Sequence, residues 1–387
     1  AEGIGLYMLI LPTFNLFITL STLGLPTSIS KLVSENTRSN KKIVLSTIPI
    51  TLVFNIILML ILFIIAPFLS KYLINNTDTY YPIMAIGLLK GYFFGKEQMF
   101  PHTLSNIIEQ IVRLLLTIFF IPSLLKYGLN IAITGVVLIN IVSEFASSIT
   151  MLLFTPKHVK INKEDFKYNK YIVKDLLSIS IPTTSSRFIG SIAYFLEPII
   201  LSFVLLSVGY SNEYITFEYG VINGYVFPIL LLPSFFTMAI SNALLPVVSN
   251  SYSHRNYTYT KNKIEQAIMF SLLIGIPCTL IFIFIPEVPL KFIYNTTLGI
   301  NYIKIIAPFF ILHYIQAPLT STLLAMGKAK DAMYGTLIGS IIRTILLGVI
   351  SYLKVGIWGL IIASISNVLF VTIHHIYYVN KYLKKEY

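Results

Sequence analysis

Charge is scarce in this sequence. Only 11 % of its 387 residues are Asp, Glu, Lys or Arg, and 56 % are apolar; a soluble domain is roughly 25 % charged. That shortage excludes an ordinary water-solvated surface. Cysteine is nearly absent as well. Cys278 stands alone inside an apolar run, which excludes an internal disulfide and a cysteine-rich metal site, and it reads as a small core hydrophobe. Enzyme signatures are missing: there is no P-loop, no H-E-x-x-H, no G-x-S-x-G and no dinucleotide-binding glycine pattern. Neither catalysis, nor a cofactor, nor a metal is therefore expected. Acidic residues are the minority charge, 16 against 28 basic ones, for a net charge of +12. An excess of that size can signal a nucleic-acid partner, but the cations here sit in short loops between apolar runs, which argues for membrane lipids as the surroundings instead.

What the sequence has in abundance is long apolar runs, each sufficient to cross roughly 30 Å of hydrocarbon. Eleven spans are predicted, at 5–33, 43–69, 80–98, 103–126, 129–154, 174–207, 219–249, 264–290, 300–325, 332–353 and 356–379. Alternate loops divide the cations unequally. One set of loops holds twenty, among them Lys31, Arg38, the six lysines between Lys157 and Lys174, Arg255, Lys328 and Lys381. The other holds only Lys71, Lys126, Lys291, Lys304 and Lys354. Cytoplasmic loops carry the Lys/Arg excess, so the C-terminus is expected in the cytoplasm. Eleven spans then place Ala1 outside, which leads to the expectation of a further span upstream.

The two halves echo each other. GLYMLILPTFNLFITLSTLGLPTSISKLVSEN from Gly5 is answered by GVINGYVFPILLLPSFFTMAISNALLPVVSNS from Gly220. Gly95-Lys96 precedes a span containing Arg113, as Gly327-Lys328 precedes one containing Arg343, and Gly135 is matched by Gly359. The order is the same and the offsets lie between about 215 and 231 residues. An offset of six crossings keeps both halves in one orientation, the parallel-repeat plan of some transporters. The expected fold is thus an all-α polytopic membrane protein with about eleven transmembrane helices, arranged as two pseudo-symmetric six-helix lobes around a central cavity, the first helix missing. Residues 1–155 form the N-terminal lobe, 156–173 a basic cytoplasmic linker and 174–387 the C-terminal lobe.

Ionisable residues inside spans are costly and usually face a bundle interior or a wet cavity. Arg187 follows Thr183, Thr184, Ser185 and Ser186, and Glu197 comes ten residues later, just before Pro198. Ten residues are about 15 Å of helix rise, so these two cannot pair directly. They read either as an anion-binding cation and a titratable carboxylate facing a cavity, or as groups that each satisfy a neighbouring helix. Glu109 and Arg113 have the i, i+4 spacing of an intrahelical ion pair. Arg343 has Gly339 four residues back and so no local partner. Glu144, near Ser143 and Ser147, suits an interhelical hydrogen bond. Glu109, Arg113, Glu144 and Arg343 are the remaining cavity or coupling candidates. His313, between Pro308 and Pro318, reads either as a proton-relay group or as a satisfied core histidine, and His374-His375 near the inner end of the last span has no second pair placed to complete a metal site.

The opening AEGIGLYMLILPTFNLFITLSTLGLPTSISKLVSE, and LLKGYFFGKEQMFPHTLSNIIEQIVRLL at 88–115, resemble the stage V sporulation protein B family, in the polysaccharide-biosynthesis branch of the multidrug/oligosaccharidyl-lipid/polysaccharide exporter superfamily, to which lipid II flippases are related. The resemblance covers essentially the whole chain. It implies two six-helix lobes in the bacterial cytoplasmic membrane that flip an undecaprenyl-diphosphate-linked oligosaccharide or peptidoglycan precursor by alternating access, with H⁺ or Na⁺ as a candidate coupling ion. It implies cations facing the diphosphate on the first helix of each lobe, and Arg187 is the one that this chain offers. The alternative within the superfamily is a multidrug or cation antiporter, which would need an acidic group in the first span. A membrane-bound sugar transferase would need catalytic acids or histidines at a membrane face, and the loops offer almost none.

Overall fold

A computed structural model describes residues 2–22, 40–73, 99–153 and 170–384. The span expected at 80–98 and most of the linker at 156–173 lie outside the described residues. Among the described residues all regular structure is helical. The N-terminal part contains α1 (Glu2–Thr22), α2 (Asn40–Phe68), α3 (Met99–Leu124), α4 (Leu129–Leu153) and α5 (Lys170–Ser207). The remainder contains α6 (Asn212–Val221), α7 (Phe227–Ser253), α8 (Tyr257–Phe284), α9 (Glu287–Tyr294), α10 (Ile300–Ala325), α11 (Ala329–Tyr352) and α12 (Trp358–Lys384). Among the described residues nine helical segments are long and apolar enough to cross a membrane, and Gly3–Phe17 of α1 is a shorter apolar helix.

The distribution of side chains is that of a protein dissolved in lipid. On α3, Ile107, Ile111, Leu114 and Ile118 are all at least half exposed. Their 4-3-4 spacing lays them along one helical stripe. Small polar groups are buried instead. Ser241, Thr322, Ser364 and Thr372 are at most 6 % exposed, and each donates to the carbonyl four residues before it. Without water, the hydroxyl must bond inside its own helix or across to another.

Two ends depart from the sequence reading for local reasons. The eighth predicted span was to continue to 290, but α8 stops at Phe284 and Pro286 starts the separate helix α9. Proline biases the residue before it away from helical angles, and Ile285 sits at φ −134°, ψ 52°. The seventh span begins earlier than expected. Ser211 accepts from the Tyr214 N–H at 3.2 Å and caps α6, and a π-helical turn at Ile222–Val226 joins α6 to α7 just ahead of Pro228.

The chain separates into two compact units, one of residues 9–195 and one of 1–8 with 196–387. In the first, α3 packs along α4 as a hairpin. In the second, α10 packs against α7, α8 and α12, and α11 packs along α12. Its buried cluster includes Leu244, Val248, Ile264, Leu319, Leu323, Ala332 and Val379. The glycine echo has a structural counterpart. A Cβ on Gly135 would strike the Leu124 side chain within the α3–α4 hairpin, and one on Gly359 would lie 2.9 Å from the Ser351 backbone nitrogen within α11–α12. In each unit a glycine lets the second helix of a hairpin approach the end of the first.

Candidate functional site

The second unit buries an ion pair in its apolar interior. Glu197 on α5 is 3 % exposed, and its Oε2 lies 2.5 Å from Arg343 Nη2 on α11. Tyr219, fully buried on α6, donates its hydroxyl to Glu197 Oε1 at 3.2 Å. Three helices therefore converge on one carboxylate. Arg343 is 28 % exposed, and its Nε is buried without a hydrogen-bond partner among the described residues. A carboxylate that accepts from a guanidinium and a phenol is well compensated inside a low-dielectric interior. The guanidinium, by contrast, keeps donor capacity in reserve. Such a pair can hold three helices together, and it can open if the carboxylate is protonated or an anion competes for the arginine.

The first unit carries a second cluster. Arg113 Nη2 pairs with Glu109 Oε1 one turn back on α3. Its Nη1 donates to Gln110 Oε1 and its Nε to Ser143 Oγ on α4, each at 3.4 Å. Ser143 in turn donates to the Asn140 carbonyl at 2.9 Å. Glu144 is half-buried next to Ser143. Arg187 belongs to α5, and its side chain lies outside the described ones.

The folded chain thus joins Glu197 to Arg343, which sequence spacing kept apart, and adds Tyr219, which it did not single out. A tyrosine in a span of a chain with 25 tyrosines gives no signal of its own. Arg343 did give one: an intramembrane cation without a partner one turn away must find it on another helix. Among the described residues no group of three or more His, Cys, Asp or Glu could hold a metal ion.

This architecture is that of a multi-pass membrane transporter fold. A solved structure titled as the inward-facing conformation of a multidrug resistance MATE family transporter of the MOP superfamily aligns over 100 % of this chain and 91 % of its own, with TM-score 0.78 and 16 % identity. At that identity the likeness concerns the fold alone. Residues 1–252 match the polysaccharide biosynthesis protein family and residues 223–350 match the MatE family. Stage V sporulation protein B of Bacillus subtilis (strain 168) is 34 % identical over 99 % of this chain and 78 % of its own length. Lipid II flippase MurJ of the same organism is 21 % identical over 89 % of this chain and 71 % of its own. The chain belongs to the polysaccharide biosynthesis protein family.

Proposed function

We propose that this protein flips an undecaprenyl-diphosphate-linked oligosaccharide, or a lipid II-like peptidoglycan precursor, across the bacterial cytoplasmic membrane by alternating access. The observation that carries this reading is its similarity to stage V sporulation protein B over 99 % of the chain, reinforced by the more distant similarity to a lipid II flippase. The chemistry is compatible. A lipid-linked diphosphate needs a cationic, hydrated slot for its head while its tail stays in lipid. Arginine supplies two parallel donors to a phosphate. Arg187 is the residue assigned to the diphosphate, and the C-terminus is assigned to the cytoplasm on the twenty-to-five division of loop cations. Glu197 tunes the cycle through its bond to Arg343: the pair is closed in this structure, and the arginine's spare donors give an anionic headgroup a means of competing for it.

The experiment is complementation of a flippase-depleted strain, read as growth and as exposure of lipid-linked precursor on the outer leaflet. The wild-type chain in its full-length gene context is expected to restore both. Arg187→Ala is expected to restore neither while reaching the membrane in normal amount. Complementation by Arg187→Ala as good as wild type would remove the assigned role.

The second reading, a multidrug or cation antiporter, is favoured by the fold likeness to a MATE transporter and the MatE match at 223–350. The interior of α1 has no acidic residue beyond Glu2 at its start, which counts against a cation-accepting seat there. Drug resistance on overexpression without any cell-wall phenotype would favour this reading over the first.

A further inference from the structure

α9 is a short helix with three unlike faces. Pro286 starts it, and Asn295 in the left-handed region closes it, donating its N–H to the Lys291 carbonyl at 3.0 Å. At about 100° per residue, Leu290 and Tyr294 share one side of the helix. Glu287 and Lys291 lie about 60° round from them, and Val288 and Phe292 about 160° round. Each side meets something different. Leu290 is fully buried, and the Tyr294 ring stands edge-on to that of Tyr225, with centroids 5.2 Å apart. Glu287 and Lys291 pair at 3.7 Å, with both side chains more than half exposed. Val288 is 58 % exposed and Phe292 90 %.

We propose that α9 is an interfacial helix, lying in the water–lipid boundary with its Val288–Phe292 face in the acyl chains of the leaflet where α8 ends. Its partner is a lipid surface. The apolar face continues one that already meets lipid, because Leu280, Phe284 and Ile285 at the end of α8 are also exposed. The charged face opposes any deeper position, since a pair of charges drawn wholly into hydrocarbon loses its hydration. Charged and apolar residues recur in each of the two turns of α9, so the division runs around the helix and not along it. A helix lying flat in the boundary satisfies such a division, whereas an upright one would carry both faces through every depth. Going round α9, the order is protein, water, lipid. Pro289 and the exposed Ile293 complete the apolar side. A helix resting flat against the flank of a bundle presents that order.

The mounting of α9 gives this position a consequence. Tyr225, which receives Tyr294, belongs to the π-helical turn that joins α6 to α7. Gly299, at the start of α10, presses on the same turn: a Cβ there would lie 2.6 Å from the Val226 side chain and 3.2 Å from that of Val221. The boundary helix is thus fastened to the α6–α7 turn and to α10, and it sets the depth at which this end of the unit rides in the bilayer. The division of loop cations assigns this end to the outer leaflet, but the boundary position stands on the faces of α9 alone.

The test uses the full chain carrying Cys278→Ser, in nanodiscs of phosphatidylethanolamine and phosphatidylglycerol. A nitroxide is attached in turn through Leu280→Cys, Glu287→Cys, Val288→Cys, Lys291→Cys and Phe292→Cys. Its collisions are measured with oxygen, which concentrates in lipid, and with a nickel complex that stays in water. The oxygen-to-nickel collision ratio is expected to be on the order of tenfold higher at 288 and 292 than at 287 and 291, and lower at 292 than at 280, as for a helix at the headgroup–acyl boundary. A label at 292 that the nickel complex reaches as readily as one at 291 would place the face in water and overturn the proposal. A label at 292 as deep as one at 280 overturns it too, by placing α9 in the hydrocarbon core. Protection of 292 from both reagents would show a protein partner covering the face, and the lipid assignment would fall.

Discussion

Arg343 and Glu197 meet at 2.5 Å between α11 and α5, with the carboxylate almost wholly buried and the guanidinium still 28 % exposed. That asymmetry decides what each replacement should do. Arg343→Ala strands a buried carboxylate with the Tyr219 hydroxyl as its one remaining partner among the described residues. Breaking a buried pair by removing one partner costs about 3–5 kcal/mol, whereas removing both in favour of well-packed apolar groups is often neutral. Thermal unfolding of the purified protein should therefore show a large loss for Arg343→Ala, and recovery of most of it in Glu197→Leu combined with Arg343→Met. A double variant as unstable as the single one would mean that the helices, and not the charges, are what the substitution disturbs.

Tyr219→Phe removes one hydrogen bond and leaves the ring. A neutral donor to a charged acceptor contributes roughly 1.5–3 kcal/mol, and the 3.2 Å separation places this one at the lower end. The expected loss is measurable in the same thermal assay but smaller than that of Arg343→Ala. Equal losses would show that the phenol and the guanidinium compensate the carboxylate equally.

The paired glycines should differ in tolerance. The atom that a Cβ on Gly135 would strike is the flexible end of Leu124, but Gly359 faces backbone of Ser351 at 2.9 and 3.0 Å. A leucine tip can turn aside, whereas a helix backbone has to shift as a body, and overpacking of that kind costs about 1–3 kcal/mol. Gly359→Ala is expected to lower the unfolding temperature clearly and Gly135→Ala to change it little. The reverse order would contradict the hairpin geometry.

Orientation can be checked with the chain's own scarcity of cysteine. Cys278 is the only one, so Cys278→Ser gives a clean background. A cysteine at Lys354, whose backbone turns between α11 and α12, is expected to react with a membrane-impermeant maleimide from outside intact cells. One at Lys384 is expected to react only after the cells are opened. Labelling at 384 from outside would invert the assignment.

Much of the fold could be read in advance because lipid leaves few options. A backbone in hydrocarbon must satisfy its own hydrogen bonds, so apolar runs become helices. Thus Ile300–Ala325 in the structure coincides with the span expected at 300–325. Where a proline intervened, at Pro286, the expectation overran, because hydropathy averages across a residue that the backbone cannot ignore. The Glu109–Arg113 pair was visible as a spacing on one helix. The partner of Arg343 was not, because an interhelical contact leaves no periodic trace. Nor was the seat of His375: adjacent histidines in an apolar span look alike until the neighbouring carbonyl and hydroxyl are in place.

By itself, the sequence determined that this chain lives in a bilayer, roughly where most of its described helices lie, and which of its rare charges had to find company. Those follow from solvent and from local geometry, both written in composition and order. Only the tertiary structure decided that Glu197 receives Arg343 and Tyr219, and that His375 lies between the Ala332 carbonyl and the Thr320 hydroxyl. Each of those outcomes depends on which faces of three separate helices come within 3.5 Å of one another, a consequence of packing that no single stretch of the chain encodes.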